Sequence, residues 1–229
     1  MLVLAINTST KIGTVALYHS DTGLISEVNL NIKLNHSDTI MTSIDSLFEL
    51  SGYTIKDVEK IAVSTGPGSF TGIRVGVGAA KGLAYSLQVP IVGVNELDLI
   101  AHMAGITDKK IIATIDARKE RVYYTDYSYD ENGSIVKNSP YKDGEISKVI
   151  EEYPEEDLLF LGDGSVVYRE RLMELAGDRG FFSLKSLSVP RASVMAEMAV
   201  DMPDDDLVHL EPYYHSKTQA ERMKEAQNK

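Results

Sequence analysis

The stretch from Ser64 to Ala84, STGPGSFTGIRVGVGAAKGLA, decides how this chain is interpreted. It follows an apolar run that begins at Ile61, passes through the glycine-rich turn GPGSFTG, and continues as a helical pattern to about Leu87. An apolar strand that enters a glycine-rich turn and then a helix is typical of α/β proteins. Helix N-termini with exposed N–H groups also attract phosphate. The stretch therefore predicts an α/β fold and raises the question of a nucleotide site.

The spacing of the glycines argues against the standard phosphate-binding motifs. A Walker loop needs serine or threonine directly after its lysine, but glycine follows Lys81. The dinucleotide fingerprint needs two residues between its second and third glycines, but three residues separate Gly68 and Gly72. A purely structural turn is therefore an equal alternative, and we keep Gly66, Gly68 and Ser69 as candidate nucleotide-proximal residues.

Small residues recur every four positions in the helix behind this turn, at Gly72, Gly76, Ala80 and Ala84. An interior glycine costs a helix about 1 kcal/mol relative to alanine, so close approach of another backbone should offset the cost. That backbone belongs either to the sheet beneath or to another chain. The preceding helix, Ser37–Leu50, is largely apolar, and the two helices together predict a partner interface. Its predicted residues are Ile40, Ile44, Leu47, Phe48, Thr71, Gly72, Arg74, Val75, Gly76, Ala79, Ala80 and Leu83.

Side chains suited to catalysis or metal binding are scarce. The chain has no cysteine, which excludes thiol catalysis and zinc–cysteine sites. None of its five histidines stands three or four residues from another, so no helix can present a paired-histidine metal face. Glu96 and Asp98 are interpreted as part of a solvated face. We predict no catalytic residue and no metal site in this chain.

Charge and hydropathy restrict the partners and the location. The 229 residues include 23 basic and 34 acidic side chains, a net charge of -11, whereas a chain that binds nucleic acid by itself usually has a basic face. The apolar runs are of strand length, well short of the roughly 20 residues of a membrane-spanning helix. We expect no membrane association and a cytoplasmic location.

The second half of the chain repeats the pattern of the first. Three short strands, a helix, a strand and a helix are predicted twice, in the order βββαβα. Asn7 and Asp116 both end a first strand, 109 residues apart, and the glycines that close the next hairpin are 110 residues apart. The alternative is that unrelated strand–turn–helix units look alike, but the common register favours duplication. The sequence thus predicts two lobes, residues 1–106 and 107–229.

These motifs together resemble the TsaB family, the scaffold subunits of the machinery that makes threonylcarbamoyladenosine in bacterial tRNA. The similarity spans nearly the whole chain, and the motifs that carry it are STGPGSFTGIRVGVGAAKGLA, PIVGVNEL, LAINTST, DARKERVYYTDY, GDG and EPYYHSK. The resemblance implies an actin-like ASKHA (ribonuclease H-like) fold of two duplicated lobes. It also implies pairing with a TsaD-like catalytic subunit, joined by a TsaE-like ATPase, and a homodimer when the chain is alone. Contact with tRNA is expected only through that complex, with ATP and metal held by the partner subunits.

Two departures from related proteins bear on catalysis. The TsaD-like pattern has two metal-binding histidines with three residues between them, and the matching positions here are Glu96 and Ile100. Asn7 stands where TsaB relatives more often have the aspartate that, in actin-like ATPases, approaches the metal and phosphate. Both changes favour a non-catalytic subunit. The alternatives are an actin-fold ATPase, a glycoprotease-like metallopeptidase and an independent RNA-binding module.

Overall fold

The computed structural model describes residues 1–31 and 36–215, which form two mixed β-sheets with helices around them. The strands of the first sheet are β1 (Leu2–Asn7), β2 (Gly13–His19), β3 (Gly23–Leu30), β4 (Lys60–Gly66) and β5 (Ile91–Asn95). Those of the second are β6 (Lys110–Arg118), β7 (Arg121–Tyr129), β8 (Ile135–Lys137), β9 (Lys142–Glu145), β10 (Leu158–Leu161) and β11 (Gly180–Phe182). The helices are α1 (His36–Ser51), α2 (Phe70–Leu87), α3 (Glu96–His102), α4 (Ile146–Glu151), α5 (Asp163–Val167), α6 (Arg169–Ala176) and α7 (Ala192–Asp201). The last two residues of the EPYYHSK motif lie outside the described residues.

The two sheets have the same connectivity. The first has the order β3-β2-β1-β4-β5 and the second the order β11-β10-β6-β7-β8, with β9 paired to β7. In each, the first strand pairs antiparallel with the second and parallel with the fourth major strand, β4 or β10. Gly66 and Gly162, which end β4 and follow β10, both have positive φ, +96° and +87°. The predicted duplication and the two-lobed actin-like fold are confirmed.

Each half of the chain supplies one helix to the sheet of the other half. The α3 residues Leu97 and Ile100 are packed in one core cluster with Ile111 of β6. Conversely, α7 is packed against β1 and β2, with Met195 in the same core as Val3. The predicted boundary at 106/107 falls between α3 and β6, and one helix from each side of it, α3 and α7, packs on the other sheet.

Helices α1 and α2 cover one face of the first sheet, opposite α7. Their buried side chains, including Ile44, Leu47 and Ile73, form one core with the strands. Helix α2 begins after Ser69, whose Oγ accepts a hydrogen bond from Gly72 N at 3.2 Å. Ser and Thr are favoured at this position because they bond the free N–H groups of the first turn. None of the described helices is long and apolar enough to cross a membrane.

Candidate functional site at the joint of the two sheets

The carboxyl end of β1 carries a closed network of hydrogen bonds. Asn7 Nδ2 donates to both carboxylate oxygens of Glu96, at 2.9 and 3.1 Å, and Ser64 Oγ donates to Glu96 Oε2 at 2.5 Å. The other side of the amide is occupied too, because Ser9 N and Ser9 Oγ both donate to Asn7 Oδ1, at 3.0 and 2.8 Å. All four residues are buried. Asn7 is therefore held entirely by its own chain.

The sequence analysis singled out Asn7 and Glu96 but did not predict that they bond to each other, and it did not identify Ser9 or Ser64 as part of this network. The expectation of a solvated face at Glu96 and Asp98 is wrong, since Glu96 is fully buried and Asp98 accepts hydrogen bonds from Tyr127 and Tyr141. Burial raises the pKa of Glu96 to about 7, against the opposing effect of the Ser64 and Asn7 hydrogen bonds. A carboxyl group with this pKa changes its charge close to neutral pH.

The second sheet contributes a related group of side chains. Asp116, which ends the duplicated first strand, accepts hydrogen bonds at Oδ1 from Tyr168 OH and Arg118 N, both at 2.7 Å. Its own N–H donates to Asp163 Oδ1 at 2.9 Å. Burial raises the pKa of Asp163, whose negative charge in turn helps to raise that of Glu96. The acidic groups of the two halves therefore face each other across the joint.

The glycine-rich turn is packed tightly against the loop that follows β1. A Cβ added to Gly68 would lie 2.2 Å from the Ser9 carbonyl oxygen, and Ser69 N donates to the same oxygen at 2.6 Å. At Gly66 an added Cβ would lie 2.6 Å from Ile73. Contacts within the chain thus account for these three candidate nucleotide-proximal residues, and their assignment to a nucleotide stays a prediction.

The small-residue stripe of α2 faces its own sheet, not a partner. A Cβ added to Gly72 would lie 2.0 Å from the Thr8 carbonyl oxygen, and one added to Gly76 would lie 2.4 Å from Thr8 Oγ1. Thr8 Oγ1 also donates to the Gly72 carbonyl at 2.7 Å. Ala80 and Ala84 are buried in the same core. The prediction that another chain lies against this stripe is wrong, because the loop after β1 already occupies that position.

Several other predicted interface residues are buried as well. Ile40, Ile44 and Leu47 of α1 lie in the core of the first lobe, and a partner cannot reach them in the folded chain. Phe48 is partly buried against the same core. Six of the twelve predicted residues, these three with Gly72, Gly76 and Ala80, are therefore structural.

The other predicted residues of α2 lie on a different face of the helix, which is accessible to solvent. Thr71 and Arg74 are exposed, and Val75, Ala79 and Leu83 are partly exposed. Gly78 and Gly82, which the interface prediction did not include, are exposed, and an added Cβ would meet nothing within 4 Å at either one. Residues 71, 75, 78 and 82 follow the spacing of one helical stripe.

On α1, Met41 and Leu50 are exposed, the latter by 84 %. We call these outward residues of α1 and α2 the helix face.

The segment from Asp204 to His215 borders the helix face and spans the joint. The Arg74 guanidinium lies 3.9 Å from the Phe70 ring centre, and Arg74 Nε donates to Tyr214 OH at 2.8 Å. Tyr213 N donates to the Thr65 carbonyl at 2.8 Å. Arg74 is thus engaged within the chain although its side chain is exposed.

The repeated sheets and the strand-end groups at their joint define a two-lobed α/β protein of the actin-like class. YeaZ from Pseudomonas aeruginosa has this structure, with a TM-score of 0.78 and 27% identity over 93% of this chain and 99% of that one. The ethanolamine utilization protein EutJ from Carboxydothermus hydrogenoformans shares the fold alone, with a TM-score of 0.53 and 10% identity over 86% of this chain and 89% of that one.

Sequence relatives narrow this class to a family. The family model described as "TsaD: tRNA N6-adenosine threonylcarbamoyltransferase" matches residues 23–229. The tRNA threonylcarbamoyladenosine biosynthesis protein TsaB of Bacillus subtilis is 34% identical over 223 residues, 96% of each chain. The protein of the same name from Escherichia coli is 38% identical over 140 residues, 58% of each chain. The chain belongs to the TsaB family, as the resemblance of its motifs predicts.

Proposed function

We propose that this chain is a non-catalytic subunit in the formation of threonylcarbamoyladenosine in tRNA. It pairs with a TsaD-like catalytic subunit, a TsaE-like ATPase joins them, and the complex transfers the threonylcarbamoyl group to N6 of the adenosine beside the anticodon of ANN-decoding tRNAs. The chain has no cofactor of its own, and ATP and metal belong to the partner subunits. The observation that carries the non-catalytic role is the closed network around Asn7.

An actin-like ATPase needs a carboxylate at the end of β1 to approach a metal-bound phosphate. The residues present do not fit a metal-bound phosphate, because Asn7 has no carboxylate and both polar atoms of its amide are already bonded to Glu96 and Ser9. Opening this site would take both Asn7 hydrogen bonds from the buried Glu96 carboxyl and leave it with the Ser64 bond, at a cost of about 1–3 kcal/mol for each lost bond.

The joint also does not suit a metallopeptidase. Glu96 and Ile100, at the positions of the TsaD-like histidines, are buried in the protein core. Within residues 1–31 and 36–215, no three His, Asp or Glu side chains cluster closely enough to hold a metal ion. An isoleucine offers no ligand atom, so one half of the histidine pair is chemically absent.

The helix face is the surface that we assign to the partner. Gly78 and Gly82 lie there with open space above them, although each costs the helix about 1 kcal/mol relative to alanine. A helix of another chain that packs directly on the α2 backbone would offset this cost. Tyr85, exposed by 70 %, follows Gly82 by three residues on α2, and Leu50 of α1, exposed by 84 %, adds apolar area to the helix face. In the absence of the partner, the same face would form a homodimer.

The assembly of purified chains tests this assignment. We expect Gly78→Arg to abolish the complex with the TsaD-like subunit on gel filtration, because the arginine would occupy the position of the partner helix. The variant should unfold at or above the wild-type temperature, since arginine is a better helix former than glycine. Gly105→Arg is the matched control, because Gly105 is also exposed with nothing within 4 Å.

Three results would contradict the proposal. A Gly78→Arg variant that still forms the complex would remove the interface. Tight binding of ATP with Mg²⁺ to the isolated chain, measured by isothermal titration, would restore the ATPase. Submicromolar binding of tRNA to the isolated chain at physiological salt would favour an independent RNA-binding module.

A further inference from the structure

The hairpin between β6 and β7 ends in a strained tip. Arg118, Lys119 and Glu120 have φ values of +66°, +55° and +55°. Arg118 pairs with Arg121, so Lys119 and Glu120 are the two central residues of a turn with positive φ at both positions. Asn-Gly and Asp-Gly are the usual residues there, because side chains with a larger Cβ substituent adopt this region at a cost in free energy. The chain thus keeps a tip that a commoner turn sequence would make more stable.

Neighbouring groups hold this tip in place. Asp116 Oδ1 accepts a hydrogen bond from Arg118 N at 2.7 Å and another from Tyr168 OH at the same distance. On the other side of the tip, Ile146 N donates to the Glu120 carbonyl at 3.1 Å. Backbone strain that is fixed by its surroundings is characteristic of functional segments.

The tip presents two cations to solvent. Arg118 and Lys119 are exposed, and neither forms an ion pair with any residue in the described part of the chain. The nearby Arg121 differs, because it is bonded to Asp143 at 2.8 Å. The tip also carries the exposed carboxylate of Glu120, so its two cations and one anion give it a net charge of +1 within a chain whose net charge is -11.

We propose that the tip formed by Arg118 and Lys119 contacts the phosphate backbone of RNA, namely the tRNA held by the complex of the proposed function. The inference rests on that function, since the overall charge opposes RNA binding by the isolated chain. Phosphates suit unpaired cations because their neutralisation releases condensed counterions. A tip that is already fixed also loses little freedom on binding. The helix face that we assign to the partner protein lies on α1 and α2, which cover the first sheet, whereas the hairpin belongs to the second sheet. We therefore assign the tip to RNA and not to the partner protein.

Variants that relieve the backbone strain of the turn and remove a cation distinguish a tip that binds RNA from a tip that is only structural. Lys119→Asn gives the first central position of the turn a preferred residue and removes one cation, so its unfolding temperature should rise. Glu120 is kept, because replacing it as well would remove an anion and leave the net charge of the tip unchanged. Arg118→Asn removes the other cation and keeps a residue that tolerates positive φ. Lys185→Asn, which removes an exposed lysine of the same half, is the control.

Binding of labelled tRNA to the complex with the TsaD-like subunit is measured by fluorescence anisotropy between 50 and 200 mM salt. Each lost phosphate contact should reduce the slope of log K against log salt by about 0.7–0.9, which is roughly a five- to eightfold weaker affinity at 0.1 M salt. We expect this for Lys119→Asn and for Arg118→Asn, with the assembly intact and the control unchanged.

Wild-type affinity and slope in both variants would overturn the inference. So would loss of the protein complex on gel filtration, because the tip would then contact the partner protein. If the wild-type chain does not assemble with the TsaD-like subunit, the proposed function fails. The same titration with the chain alone then decides the role of the tip, and equal slopes for variant and wild type would refute it.

Discussion

Two substitutions that each add one methyl group to α2 should change stability in opposite directions. In Gly72→Ala the new Cβ would lie 2.0 Å from the Thr8 carbonyl oxygen, which is backbone and cannot rotate away. Overpacking of this kind costs about 1–3 kcal/mol, and the displaced loop also strains the Thr8–Gly72 hydrogen bond, which is worth about 1 kcal/mol. The gain in helix propensity returns about 1 kcal/mol. We expect a net loss of about 1–3 kcal/mol.

Gly78→Ala is the matched comparison in the same helix. Nothing lies within 4 Å of an added Cβ, so only the propensity gain of about 1 kcal/mol remains. Urea unfolding followed by circular dichroism at 222 nm measures both variants. We expect the midpoint to fall for Gly72→Ala and to rise for Gly78→Ala, with equal m-values. Equal shifts, or a stable Gly72→Ala variant, would refute the conclusion that the stripe is packed against the loop after β1.

Two further predictions concern the joint. Gly76→Ala should destabilise the chain by about 1–3 kcal/mol, because the added Cβ would lie 2.4 Å from the Thr8 hydroxyl. The loss should be much smaller in a Thr8→Ala background, which lacks this hydroxyl. Additive effects in the double-mutant cycle would exclude the contact. The pKa of Glu96 is about 7 in the folded chain, above its ordinary value of 4.5, so the neutral form is favoured by folding. Stability should therefore fall by about 3 kcal/mol as the pH rises from 4.5 through 7, and Glu96→Gln should remove most of this dependence. A wild-type stability that is flat over this range would contradict the assignment.

The order of elements and the duplication were accessible from the sequence because they depend on local patterns. Hydrophobic periodicity and turn residues located the main strands of both halves, although β9 and β11 were not predicted, and the common register predicted two similar sheets. The exchange of α3 and α7 between the sheets was not accessible in this way. Their apolar faces fit either sheet, and only the packed structure shows which one covers them.

The candidate site was only partly predictable. Asn7 was recognised from its place at the end of β1, but Glu96 is 89 residues away and its role depends on meeting that amide in space. The second pair of glycines in α2 could be recognised from the sequence, since Gly78 and Gly82 are four residues apart and lie on the side of the helix away from Gly72 and Gly76. Their spacing is the same as that of the buried stripe, so periodicity could not distinguish an inward face from an outward one.

The sequence by itself determined the family, the two duplicated α/β halves and the presence of a helix that another backbone approaches closely. Only the tertiary structure decided that this backbone is the chain's own loop after β1, and that the surface open to a partner lies on the other side of α2. The physical reason is that a small residue indicates that another backbone packs closely against it, but it does not indicate which segment, of this chain or of another, supplies that backbone. The same holds for Glu96, whose charge depends on the groups that folding gathers around it.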